Sequence, residues 1–412
     1  PEDIMLSKMY GLNAIRLSIS WTRIFLEGYG KPNQAGVDYY HRLFKCCIDN
    51  GVTPYVSLHH FDSPKTLFED GDWLNRKNID YFVDYADFCF KEFSEIENWF
   101  TINELISLAF SQYIQGNFPP NHHFDVSNAI QAEHNELLAH ARVVNLFKDK
   151  GYTGRIGLIH LLQPVYPNPN TPENTHAPQC EDAFMNTFLL DGTFKGEYEP
   201  DTMKLVNEVL KANDAHLTIE PGDMETLKKA STRNDYFGMN YYQPSFVAAY
   251  NGESTNTFNG TGEKGTSSFK FKGVGQHVKN PEIPTTDWDW NIYPKGLYDM
   301  LKWVSKTYKN CKTIYITENG LGYKDEYKGI GEEIDDEPRI DFIDQHVEAL
   351  LKARNEGVDV QGYFVWSLQD QFSWANGYNK RYGLFYVNFD TQAREIKKSA
   401  KWFKELADTM GS

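Results

Sequence analysis

The 412-residue chain is poor in cysteine: Cys46, Cys47, Cys89, Cys180 and Cys311 are odd in number and include a vicinal pair but no Cys-x-x-Cys. Neither a disulfide framework nor a zinc knuckle fits that spacing, and a reducing cytoplasm is the expected compartment. The chain also lacks a run near the ~18 apolar residues of a membrane span. Its first ten residues, Pro1 to Tyr10, carry acids where a secretory signal carries bases, so no membrane partner is expected. Positive charge is scarce, with 41 Lys and Arg against 57 Asp and Glu and a net charge of −16. That field repels a phosphate backbone at long range and argues against nucleic acid, although a local cluster of donors can still hold a small anion. No repeat of fixed period occurs.

What is present is a globular composition, 41% hydrophobic and 15% aromatic, with enough apolar surface for a large core. Short β-branched and aromatic runs read as strands at Ala14–Trp21, Thr53–His60, Asn98–Glu104, Arg155–Leu162, Asp235–Tyr242, Thr313–Glu318 and Val360–Leu368. Between them, Val37–Asn50, Asn78–Ile96, Val126–Lys150, Leu297–Tyr308 and Ile340–Asn355 repeat apolar residues at three and four, as helices do. Strand alternating with helix predicts an α/β fold with a parallel sheet. An eight-stranded TIM barrel needs one strand more than these seven, and the chain opens in a helix, with Pro1, Glu2 and Asp3 ahead of Ile4, Met5, Leu6 and Met9. The expectation is therefore a single TIM (β/α)8 barrel lacking its first strand at the N-terminus, or else an open α/β fold. Residues 243–290 break into Gly, Ser, Thr and Asn and read as a loop excursion from that domain.

Several motifs have plain explanations. Gly260-Thr261-Gly262-Glu263-Lys264-Gly265 spells a dinucleotide fingerprint but neither follows a strong strand nor opens a helix, so it reads as loop. His134 and His140 are six apart on a helix, on different faces, and offer no zinc site. His122-His123 beside Pro119-Pro120 reads as surface loop, and the sequon at Asn259 has no meaning in a cytoplasmic protein.

The informative residues are Glu104 and Glu318, each closing a β-run and each beside an asparagine, Asn103 and Asn319. In a parallel barrel both emerge at the C-terminal rim, where barrel active sites are built. A lone acid after a strand is as readily a helix cap. Two of them facing one another are the machinery of glycoside hydrolysis, one protonating the leaving oxygen and the other attacking or activating water. His60, Asn240, Tyr242, Trp366 and Trp374 fall at or just after further strand ends, where hydrogen-bonding tips and flat rings suit a pyranose.

The segments AIRLSISWTRIF, SLHHFDSP, WFTINEL, GMNYY, YITENG and GYFVWSLQDQFSWANGY resemble, in order, the strand-end motifs of glycoside hydrolase family 1, retaining β-glycosidases on a TIM barrel. The resemblance implies Glu104 as general acid/base and Glu318 as nucleophile, Arg16 and Tyr242 supporting the nucleophile, and His60, Asn103, Asn240 and Trp366 among the sugar-binding positions. Within the family, TDWDWNIYPKGLYD, ENGLGYKDE and NGYNKRYGLFYVNFDTQAR are similar to its 6-phospho-β-galactosidase branch. Where β-glucosidases of the family carry Glu-Trp, this sequence has Ser373-Trp374. A carboxylate there would repel a 6-phosphate, whereas a hydroxyl can donate to it. Ser373, Lys380 and Tyr382 are then the expected phosphate ligands, and Trp374 the ring that accommodates an axial 4-hydroxyl. Lys380-Arg381 read by itself is more readily a solvated charge pair. The implied substrate is a small phosphorylated disaccharide such as phosphorylated lactose, with no metal or organic cofactor. A 6-phospho-β-glucosidase, or a silent sugar-phosphate-binding barrel, is the alternative. Family members carry a first strand with a glutamine that has no counterpart here, so two unpaired sheet edges are expected.

Overall fold

The computed structural model describes residues 1–329 and 331–410. Its main sheet has seven strands, Ala14–Ser18, Thr53–His59, Asn98–Asn103, Arg155–Leu161, Tyr236–Asn240, Ile314–Asn319 and Val360–Val365, paired in that order. Every pairing is parallel. A sheet laid down strictly in chain order has no switch point, so it curls in one direction as a barrel does instead of splitting into a doubly wound sheet.

The interior shows the curl. Ala14, Tyr55, Phe100, Ile159, Tyr236, Tyr315 and Phe364, one from each strand, form a single cluster. The Tyr55 ring lies 5.1 Å from Phe364 and 5.4 Å from Tyr315, contacts between the second strand and the last two that a flat sheet forbids. Arg155 closes this layer, donating to Asn98 Oδ1 at 2.7 Å, Tyr315 Oη at 3.3 Å and Tyr55 Oη at 3.4 Å. With that end plugged by rings and a guanidinium, the opposite rim is left for chemistry.

All seven expected strands are present, six with shortened ends and the sixth in chain order shifted by one residue to Ile314–Asn319. The first stops at Ser18 because Trp21–Ile24 turns into a short helix. The sheet's outer strands are Ala14–Ser18 and Val360–Val365. Each expected helix is found, as Gln34–Asp49, Arg76–Glu92, Val126–Asp149, Pro294–Thr307 and Glu337–Asn355. Their apolar stripes are buried. Val37, Tyr40 and Phe44 from the first, and Ile79, Phe82 and Phe90 from the second, enter the main core.

Residues 243–290, read from the sequence as a loop excursion, hold strands Ser245–Ala248, Thr255–Thr257, Ser268–Phe271 and Gly275–His277, which join Val165–Pro167 in a second, five-stranded sheet. Strands of three or four residues are too short to show a period in sequence. Phe269 and Phe271 anchor this sheet in the main core.

Candidate active site

Both glutamates stand at the rim, and local backbone irregularity aims them. In Ile314–Asn319 the pairing with the neighbouring strand slips between Ile316 and Glu318, a bulge that lets Thr317 and Glu318 both face the cavity. The strand before Glu104 slips between Phe100 and Asn103. Glu104 itself has φ 50°, a left-handed conformation that costs a non-glycine residue energy and is found where surroundings over-determine it. Its N–H donates to Ile159 O at 2.8 Å, which fixes the turn.

The two carboxylates have different company. Glu318 receives the guanidinium of Arg16 on Oε1 and the hydroxyl of Tyr242 on Oε2 at 2.7 Å. Arg16 also donates to Thr317 O at 3.2 Å and Asn103 Oδ1 at 3.4 Å, so it is held from three sides. Glu104 accepts instead from neutral Asn240 Nδ2 at 2.6 Å. Thr317 donates to Asn240 Oδ1 at 2.6 Å and thereby turns the amide nitrogen toward Glu104.

Burial, and then the negative charge of Glu318, push Glu104 up to about 7. Burial also raises Glu318, but the charge of Arg16 and the Tyr242 hydroxyl oppose the rise. Glu104 is thus raised to where it can keep its proton near neutrality, while on Glu318 the Arg16 charge and the Tyr242 hydroxyl work against the effect of burial, an asymmetry that suits an acid paired with a nucleophile. His60 is held well below its usual value by burial and by Arg16, so it faces the cavity as a neutral ring.

A cavity of about 1320 Å³ opens on these groups. Arg16, His60, Glu104, Tyr242, Glu318, Trp366, Ser373, Trp374, Lys380 and Tyr382, ten of the expected residues, lie on its wall. Asn103 and Asn240 do not. Both are buried, Asn103 accepting from Arg16 and Asn240 donating to Glu104. The His60 and Trp366 rings are 5.8 Å apart. Trp374 is half exposed at the mouth, with Phe118 at 5.1 Å and Phe61 at 6.5 Å. The Ser373 hydroxyl accepts from the Asn376 N–H at 3.2 Å, which leaves its own hydrogen free to donate.

Lys380 is not a solvated surface charge. It is 2% exposed, and its ammonium sits 3.3 Å from the Trp290 ring centroid, 5.1 Å from Trp288 and 5.3 Å from Tyr382. No carboxylate pairs with it among the described residues, and burial drives it well below the ordinary lysine value. Trp288 and Trp290 were not among the expected site residues. Their sequence signal is a Trp-x-Trp pair inside an otherwise polar stretch.

The sequence matches the family described as Glycosyl hydrolase family 1 over residues 1–412. The chain belongs to glycosyl hydrolase family 1. Among its family 1 relatives, it is 56% identical over 407 residues to 6-phospho-beta-galactosidase 1 of Streptococcus pneumoniae serotype 4, spanning 98% of this chain and 86% of that one. It is 53% identical over 407 residues to 6-phospho-beta-galactosidase of Clostridium acetobutylicum, spanning 98% and 85%. Of solved family 1 structures, the beta-glucosidase of Thermotoga maritima superposes with a TM-score of 0.86 at 32% identity, covering all of this chain and 86% of that one. The family 1 chain acts on a small sugar substrate, and none of its helices among the described residues is long and apolar enough to cross a membrane.

Proposed function

We propose that this family 1 enzyme is a retaining 6-phospho-β-galactosidase that hydrolyses phosphorylated disaccharides such as lactose phosphate. The observation that carries the reading is Lys380, a buried ammonium on the cavity wall with aromatic neighbours and, among the described residues, no carboxylate partner. Leaving a cation unpaired in a low-dielectric site is costly, and a phosphate dianion delivered by the substrate offsets that cost. A β-glycoside without phosphate does not. The names of the relatives agree with this reading.

In the reaction, the Glu318 carboxylate attacks the anomeric carbon while Glu104 gives its proton to the leaving oxygen. A glycosyl-enzyme ester forms and the aglycone departs as an alcohol. Glu104, now ionised, takes a proton from water, which attacks the anomeric carbon and releases the Glu318 carboxylate. Arg16 and Tyr242 hold Glu318 in place, and the Tyr242 hydroxyl can follow its charge through the cycle. Asn240 supports the closely spaced, retaining geometry of ~5–5.5 Å, because it donates to Glu104 and is the strand partner of Glu318.

On this reading Ser373 and Tyr382 join Lys380 on the phosphate, and Trp374 at the mouth favours the axial 4-hydroxyl of the galacto sugar. The test compares p-nitrophenyl β-galactoside and β-glucoside, each with and without a 6-phosphate, on wild type and Trp374→Ala. Preference for the phosphorylated galactoside, relaxed toward gluco in Trp374→Ala, is the expected result. Equal turnover of unphosphorylated sugars overturns the phosphate assignment, and preference for 6-phosphoglucoside overturns only the role of Trp374.

A further inference from the structure

Away from the sugar cavity, the short helix His176–Asp182 places His176 and Cys180 one turn apart on the same face, and Glu208 of Pro200–Ala212 reaches the same point. His176 Nε2 lies 3.6 Å from Cys180 Sγ and 3.1 Å from Glu208 Oε2, and all three ligand atoms fall within 4.8 Å of one another. A tetrahedral zinc ion with bonds of ~2.3 Å to sulfur and ~2.0–2.1 Å to nitrogen and oxygen asks for N···S of roughly 3.6 Å and N···O of roughly 3.3 Å. Both edges from His176 are already close to that, and the third edge is within 4.8 Å.

Hydrogen bonding serves the thiol only weakly, since sulfur is a poor donor and a poor acceptor. A single ring nitrogen either donates to Glu208 or accepts from the thiol, and cannot do both. A shared cation serves all three. We infer that His176, Cys180 and Glu208 form a zinc-binding site with its fourth position open to water. Thiolate, imidazole and carboxylate together select zinc over magnesium or calcium, which prefer all-oxygen shells. Cys180 is buried, whereas His176 and Glu208 are exposed and give the ion a way in. Binding forms the Zn–S bond as the thiol proton leaves to buffer, so affinity rises with pH.

The ion would tie two helices together beside the cavity. Glu181, next to Cys180, accepts from Ser245 Oγ at 2.6 Å and from His277 at 3.0 Å, and all three residues lie on the cavity wall. Zinc therefore stiffens that wall without entering the reaction.

The site is tested by titrating chelator-treated protein with cobalt chloride. One equivalent should give a near-ultraviolet thiolate-to-cobalt band together with intense tetrahedral visible bands, and zinc chloride should displace both. Cys180→Ser should lose the near-ultraviolet band, Cys46→Ser should keep it, and His176→Asn and Glu208→Gln should each weaken binding about tenfold or more. Zinc should also raise the melting temperature of wild type but not of His176→Asn. His176 and Glu208 are exposed, so their variants carry the test even if Cys180→Ser folds poorly. Absence of a saturable band, meaning a hydrogen-bonded thiol only, overturns the inference. So does a band that survives Cys180→Ser.

Discussion

The Lys380 ammonium lies 3.3 Å from the centroid of the Trp290 ring, and Trp290 in turn meets Tyr242 edge to face at 5.5 Å. Because Tyr242 donates to Glu318, one indole links the cation proposed to hold phosphate to the carboxylate proposed to attack. When Lys380 is charged, the π faces around it stabilise that charge only modestly, by about 2 kcal/mol when desolvated. An arriving phosphate has much more to offer.

Lys380→Ala should therefore lower kcat/KM for a 6-phosphogalactoside by roughly tenfold to a few hundredfold, the value of one or two charge-assisted hydrogen bonds. Residual turnover of the unphosphorylated galactoside should barely change. Gly322→Ala should give a weaker version of the same selective loss, since its Cβ would fall 2.3 Å from Lys380 Cε and 2.6 Å from Cγ and must displace the lysine stem. Steady-state kinetics on the paired substrates decide this, and equal losses on both would refute it.

Binding of the phosphorylated sugar should take up a proton. Burial holds Lys380 well below the ordinary lysine value in the free enzyme, and a dianion beside it restores the charged form. At pH 8 the ligand phosphate, with a second pKa of about 6, is already dianionic and does not confuse the count. Calorimetry with galactose 6-phosphate in buffers of unlike ionisation enthalpy should show the uptake in wild type and not in Lys380→Met. Heats independent of buffer in both proteins would remove the argument.

The two glutamates should fail differently. Glu318→Gln should abolish turnover of every substrate. Glu104→Gln should cost roughly 10²–10⁴-fold on lactose phosphate, which needs protonation of its leaving oxygen, and far less on nitrophenyl glycosides. Early product followed by proton NMR should be the β-anomer, and an α-anomer would show inversion instead.

Glu104 at about 7 sets two pH effects of opposite use. Activity on poor leaving groups should fall as pH rises through about 7, because the acid has lost its proton. Stability should fall over a lower window. Below the unfolded value near 4.5 both states hold the proton; between there and about 7 only the folded state does, so each rise in pH favours unfolding. Glu104→Gln should remove that loss and be more stable than wild type at pH 8 by up to about 3 kcal/mol, but not at pH 4. Urea denaturation midpoints at the two pH values measure the difference.

Much of this is written locally in the chain. The seven strands are legible because β-branched and aromatic runs alternate with stripes of period 3.6, and both patterns survive in a single sequence. Glu104 and Glu318 are legible as acids at strand ends, and chain-ordered parallel strands then bring them to one rim. The tertiary structure decided what no local pattern encodes. The slip at Ile316–Glu318 turns Thr317 and Glu318 toward one cavity, against the alternation a regular strand would impose. Asn103 and Asn240, which resemble sugar ligands in sequence, are buried, Asn103 accepting from Arg16 and Asn240 donating to Glu104. Lys380 reads as half of an exposed Lys-Arg pair until residues 243–290 fold back as a small sheet and the indoles of Trp288 and Trp290 close over it. The physical reason is common to all three: burial depends on which distant segment covers a side chain, and a strand of three residues carries too little periodicity to announce that it will.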